Sequence, residues 1–138
     1  MKKNTIMFLI IITSFNCFDS ITNYNEVSLG EEFSMRVGES AVISNYGVEI
    51  KFDSVAEDSR CPTDAMCIWA GNAVVILQLK ESDRNEQSVK LNTFLNPKDV
   101  EFSDLIIELK GLSPYPQSDV IINPNDYVAK LVVKKKEN

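Results

Sequence analysis

The chain carries three cysteines and no histidine, and these two facts bound the chemistry open to it. Without imidazole there is no Ser-His-Asp or Cys-His nucleophile, no His-Glu-x-x-His zinc site and no general base of the commonest kind. Cys61 and Cys67 stand six residues apart in Cys61-Pro62-Thr63-Asp64-Ala65-Met66-Cys67, and in an exported domain two such thiols are expected to pair. Closing so short a loop contributes only about 2.4 kcal/mol of chain entropy, so the bridge clamps the shape of a loop more than it holds the domain together. A redox-active dithiol is disfavoured, because the spacing is not Cys-x-x-Cys and no helix begins there to lower a thiol pKa. What remains is a lysine base or a carboxylate pair of the kind glycoside hydrolases use, which would need two carboxyl groups about 5 to 10 Å apart in a cleft. Most of the acidic residues instead alternate with apolar ones, as the wet face of strands does. A non-enzymatic protein is expected.

Asp53, Glu57, Asp58 and Asp64 offer hard oxygen ligands of the type calcium takes. Their spacing matches no calcium-loop motif, and solvated loop carboxylates are the simpler reading, so neither a metal nor a cofactor is expected. The residues best suited to recognition are Arg60, Asp64, Trp69 and Tyr115. A clamped loop is a good platform for contacts because little ordering entropy is lost on binding. Arg60 is expected to pair with Asp58 or Asp64. Trp69 projects on the same side as Cys67 if the chain there is extended, which places its indole over the bridge, and Gly71 allows a bend into the strand that follows. Tyr115 lies between prolines in Leu112-Ser113-Pro114-Tyr115-Pro116. It reads either as a binding anchor or as a cover over one end of the core.

The third cysteine belongs to the N-terminus. Lys2 and Lys3 precede a seven-residue apolar run, Ile6 to Ile12, the anatomy of an export signal; a spanning helix would need about 20 apolar residues. Ser14-Phe15-Asn16-Cys17 resembles the lipobox of bacterial lipoproteins, in which the cysteine is acylated and becomes the mature N-terminus. Ser14 and Asn16 depart from the usual residues of that motif, and the alternative is an ordinary secretory signal cut near Ser20. Two or three acyl chains hold a protein firmly to a membrane, so lipidation at Cys17 predicts residence on the extracytoplasmic side of an envelope membrane. Without residues 1–16 the chain keeps 12 basic and 20 acidic residues, a net charge of -8. That balance repels phosphate backbones and argues against nucleic acid. Lys134-Lys135-Lys136 is the exception and reads as a solvated tail.

Residues 17–30, polar with scattered apolar side chains, read as the lipidated cysteine and a flexible tether; residues 31–138 read as one domain. In that domain short alternating segments are broken by turns. Phe33, Met35 and Val37 share one face, as do Val48, Ile50 and Phe52, with a slip before Val55 that predicts a bulge. Ala73 to Leu79 is apolar almost throughout, as a strand covered on both faces would be. Ser82-Asp83-Arg84-Asn85 turns the chain into a strand bearing Val89 and Leu91. Leu105, Ile107 and Leu109 alternate, and so do Tyr127, Ala129, Leu131 and Val133. The prolines fall between segments. The spacing predicts an all-β, antiparallel, immunoglobulin-like β-sandwich of seven or eight strands, or alternatively a small β-barrel. A short helix is conceivable at Pro97-Lys98-Asp99-Val100-Glu101, and Tyr127 is a candidate to hydrogen-bond backbone across a sandwich corner.

The segment Asp58-Ser59-Arg60-Cys61-Pro62-x4-Cys67-x-Trp69-x-Gly71-x-Ala73, followed by a valine-rich strand, resembles a family of small, uncharacterised bacterial exported proteins and lipoproteins. Val37-Gly38-Glu39-Ser40-Ala41 and Asp126-Tyr127-x-Ala129-x-Leu131 extend the resemblance over most of residues 30–133. It implies an exported, compact β domain and carries no activity with it. The function expected from all of this is a membrane-anchored, non-enzymatic module that binds a protein, a glycan or a small ligand through its loops. An exported peptidase inhibitor presenting the disulfide loop is the alternative, although the chain lacks the Asn-Pro-Thr-Thr-Gly loop of chagasin-like inhibitors. A glycan-active enzyme is the third.

Overall fold

The structure, a computed structural model, describes residues 25–82 and 86–137. Among the described residues nine strands are formed, where seven or eight are expected from the sequence: β1 (Asn25–Glu26), β2 (Glu32–Arg36), β3 (Ser40–Ile43), β4 (Val48–Asp58), β5 (Ala73–Glu81), β6 (Gln87–Asn92), β7 (Asp99–Phe102), β8 (Leu105–Ser113) and β9 (Val128–Lys135). They make two packed sheets, ordered β1-β3-β4-β5-β6 and β2-β9-β8-β7. Every ladder is antiparallel except the short one between β1 and β3. The molecule is the β-sandwich its alternation predicts. Its connectivity is two meanders, β3 to β6 and β7 to β9, with the chain changing sheets at β1–β2, β2–β3 and β6–β7. Among the described residues no helix is long and apolar enough to cross a membrane.

Period-2 alternation positions the core. Val48, Ile50 and Phe52 from β4 meet Val75, Leu77 and Leu79 from β5 and Leu91 from β6, opposite Leu105, Ile107, Ala129, Leu131 and Val133 from the second sheet; all are fully buried. Each large side chain so buried contributes about 1.5–3 kcal/mol. A dozen of them outweigh the short disulfide loop, so the core supplies the stability and leaves the loops free to serve other ends.

Three details differ from the sequence reading. Val74, Ile76 and Gln78 on the outer face of β5 are half-buried, so that strand is covered on one face only. Its neighbours there are Lys90, Ser88, Ser54 and Lys51 by register, and long side chains flanking an apolar one shield it without a second layer. Residues 99–102 form strand β7 rather than a helix. Val100 and Phe102 pair across to Ile107 and Leu105, because an available strand edge satisfies the backbone better than one isolated helical turn. Residues 25–30, expected to belong to the tether, lie on the domain. β1 pairs with Ala41 and Val42, the Val27 amide donates to the Val42 carbonyl and the Gly30 amide to the Val133 carbonyl. Val27 and Leu29 pack against the core, which gives this segment apolar burial that its polar composition hides. Cys17 and residues 1–16 lie outside the described residues.

The β4–β5 ladder shifts register twice, between Phe52 and Ser54 and between Val55 and Glu57, where the slipped alternation predicts a bulge. β8 shifts between Leu109 and Gly111. Such bulges bend and twist a strand, and here they flank the end of the sandwich where β4 and β8 release the longest loops.

Candidate binding surface

Three connections gather at one end: 59–72 between β4 and β5, 93–98 between β6 and β7, and 114–127 between β8 and β9. Cys61 and Cys67 are bridged, with their Cα atoms 5.9 Å apart. The neck of this first loop is closed by backbone as well. The Ser59 amide donates to the Asn72 carbonyl at 2.8 Å and the Cys61 amide to the Ala70 carbonyl at 3.0 Å. Gly71 makes the closure possible. Its φ is +71°, and a Cβ there would stand 1.9 Å from the Ser59 carbonyl oxygen, a separation no side chain tolerates.

Arg60 is the buried centre of this end, 4% exposed. Its Nε donates to Asp58 Oδ1 at 2.8 Å and its Nη2 to Asp58 Oδ2 at 2.6 Å, the two-pronged geometry that suits guanidinium to carboxylate. Nη1 donates to the Leu112 carbonyl and Nη2 also to the Pro114 carbonyl at 2.8 Å. The Tyr115 ring caps the guanidinium, 4.5 Å from Cζ to centroid, a cation–π arrangement. The Tyr127 hydroxyl donates to Asp58 Oδ2 at 3.0 Å. Two sheets are thus joined at one corner by charge-assisted bonds. Burial pushes the Asp58 carboxyl up, but its hydrogen bonds from Arg60 and the adjacent positive charge outweigh that and hold it below the usual carboxylate value. Burial and the bond to Asp58 raise the Tyr127 phenol.

The candidate residues therefore divide. Arg60, expected at the surface, is buried with its donors engaged; the Asp58 partner is the one it takes, not Asp64. Tyr115 covers Arg60 with one face and leaves about half its surface in solvent. Asp64 is exposed and accepts from the Ser118 amide at 2.8 Å, which lowers its pKa. With the Thr63 amide donating to the Pro116 carbonyl at 2.9 Å, this stitches the disulfide loop to the 114–127 connection. Trp69 is 80% exposed; an indole packed over the bridge would lose far more of its surface, so that expectation fails. The strand continuation that would have placed it there is absent, since residues 68–69 bend. Tyr127 bonds the Asp58 carboxylate rather than backbone. Asp53, Glu57, Asp58 and Asp64 do not converge, and among the described residues no group of three or more His, Cys, Asp or Glu is placed to hold a metal.

Sequence reasoning missed the feature that dominates this end. The exposed large apolar side chains among the described residues are Met66, Ile68, Trp69, Phe94, Leu95, Tyr115, Val120 and Ile121, and all of them lie on these three connections. Ile68, Trp69, Phe94 and Leu95 line a groove of about 440 Å³ together with Ser59, Ala70, Gly71 and Asn72. One side chain ties the two lining connections together. Asn72 Nδ2 donates to Asn92 Oδ1 at 2.8 Å, and Asn72 Oδ1 accepts the Phe94 and Leu95 amides at 3.0 and 3.2 Å. The available signal was apolar residues inside segments rich in Pro, Ser, Asn and Asp, where a strand or core assignment does not account for them. Large exposed apolar patches on proteins are commonly places of interaction.

Comparisons with protein-family models, with curated proteins and with solved structures find no match for this chain. The site's meaning has to come from its own geometry.

Proposed function

We propose that this protein is a lipid-anchored, extracytoplasmic binding module of a bacterial envelope, non-enzymatic, with Cys17 as its lipid attachment site and the 59–72, 93–98 and 114–127 connections as its binding end. One observation carries the binding half: among the described residues the exposed large apolar side chains all sit at one end, on loops tied down by a disulfide, a buried ion pair and the Asn72 bonds. Rigid loops lose little entropy on docking, and exposed aromatic and aliphatic residues are the usual anchors of interfaces. The anchor half is supported by the signal-like residues 1–16 and by the resemblance of residues 58–73 to small exported proteins. The lack of histidine, the bridged cysteines and the engagement of Asp58 and Tyr127 with each other support a role without chemistry. A protein partner suits the surface better than a glycan. The polar side chains of the groove, Ser59 and Asn72, are engaged in internal bonds, whereas sugars are read by free donors and acceptors.

Site-specific photo-crosslinking in intact cells tests this. A photoreactive residue at position 68 should capture a partner of defined mass, and one at position 135, at the other end of the sandwich, should not. Equal capture from both positions, or none from 68, would remove the reading. A peptidase inhibitor is a second reading, favoured by the exposed Met66 and Ile68 on either side of the bridged Cys67. Inhibition of any member of a serine- and cysteine-peptidase panel, lost in an Ile68→Ser variant, would favour it.

A further inference from the structure

We propose that the partner of the loop end is a protein segment that presents apolar side chains flanked by lysines or arginines, and that the groove of Ile68, Trp69, Phe94 and Leu95 receives its apolar part. This rests on the binding reading above and names the partner's chemistry. The argument is charge complementarity around an apolar centre. The three connections and the strand ends beside them carry five exposed carboxylates, Glu57, Asp64, Asp99, Asp119 and Asp126. The cations there are Arg60, buried and neutralised by Asp58, and Lys98, whose ammonium lies 5.8 Å from the Phe94 ring centroid. Asp64 stands two residues from Met66, Asp119 adjoins Val120, and Asp99 follows the Phe94–Leu95 stretch by four residues. On these three connections exposed carboxylates thus outnumber accessible cations, and negative charge shares the loop end with the apolar side chains.

Such a surplus of negative charge decides between occupants. An anionic lipid surface is repelled by it, and an acidic protein equally; a basic segment is steered toward it and fixed in register. A second copy of this chain would bring two acidic ends face to face, which is unfavourable in an isologous pair. The groove itself supplies the anchor pocket. Its two polar side chains are engaged within the protein, with the Ser59 hydroxyl donating to the Asn72 carbonyl at 2.9 Å and Asn72 Oδ1 accepting two loop amides, so the side chains select by shape and apolarity while the carboxylates of the same loops select the sign of the partner's charge.

Trp69 is the chain's one tryptophan, so its emission reports this surface alone. The probes are two synthetic peptides with the same leucine pattern, one with lysines between the leucines and one with glutamates, and vesicles of phosphatidylcholine with and without phosphatidylglycerol. The lysine peptide should shift Trp69 emission to the blue and bind about tenfold or more tighter than the glutamate peptide, with affinity falling as salt rises. Leu95→Ser should weaken that binding about tenfold by removing a buried contact. The double variant Asp99→Asn and Asp119→Asn should weaken it about two- to fivefold and reduce its salt dependence; asparagine suits Asp119, whose φ is 62°. Equal binding of the two peptides, a Trp69 shift on vesicles, or concentration-dependent self-association that buries Trp69 would overturn the proposal. If neither peptide binds while residue 68 captures a partner in cells, the partner chemistry is wrong and the binding reading survives; if residue 68 captures nothing, the binding reading itself fails.

Discussion

Arg60 is where a single residue does most to hold this end of the molecule. It carries a full charge into a site only 4% exposed, and the cost of that burial is offset by two bonds to Asp58, two to backbone carbonyls and the Tyr115 face. Removing one member of a buried pair leaves the other charge uncompensated, which costs about 3–5 kcal/mol. Arg60→Ala should therefore lower stability by that amount in urea unfolding. Arg60→Lys should recover only part of it, because an ammonium cannot reproduce the fork. The same cluster sets the pH response. Asp58 titrates below its ordinary value of 3.8 when folded, so its contribution is complete above 3.8 and disappears as pH falls through the folded value. Tyr127 titrates above its ordinary 10.0, so its contribution is complete below 10.0 and disappears as pH rises through the folded value. Thermal unfolding should be flat between these limits and fall off at both. Asp58→Asn should flatten the acid limb.

At the scale of elements, the 59–72 connection behaves as a rigid insert. Its neck depends on Gly71, where a side chain would meet the Ser59 carbonyl and φ is positive. Gly71→Ala should cost on the order of 1–3 kcal/mol for the backbone conformation alone, with more added if the neck must open. The expected readout is selective. Trp69 fluorescence and amide exchange at Cys61 should change, while the β8 and β9 amides, far from the neck, stay protected. Uniform loss of protection would show that the loop is part of the cooperative core. Strand β7 and the half-covered face of β5 make the same point from the other side. Local pattern predicts a helical turn for the first and cover on both faces for the second, and both take the form their neighbours impose. A four-residue segment has no periodicity long enough to choose helix or strand for itself, but an unpaired edge of β8 chooses for it.

For the molecule as a whole, the exposed apolar loops lie at one end and β1 runs along the β3 edge; the proposed anchor is open to a direct test. Cys17→Ser should abolish incorporation of labelled palmitate and release the protein from the membrane fraction. Persistent membrane association without label would mean that the attachment is not through that residue. The release should leave the unfolding midpoint of the domain unchanged, since the buried core among the described residues runs from Met35 to Val133, well beyond Cys17 in the chain.

Composition and alternation alone determined the sandwich, the buried faces of β4, β6, β8 and β9, the Cys61–Cys67 bridge and the bulge in β4. Each of these follows from short-range rules, in which period-2 burial and a six-residue cysteine spacing need no knowledge of distant chain. The partner of Arg60, the exposure of Trp69, the docking of residues 25–30 and the gathering of eight apolar side chains at one end were decided only by the tertiary structure. They depend on which of the segments 58–60, 112–116 and 127 meet across two sheets, and residues some 50 to 70 positions apart in the chain leave no local pattern that announces the meeting.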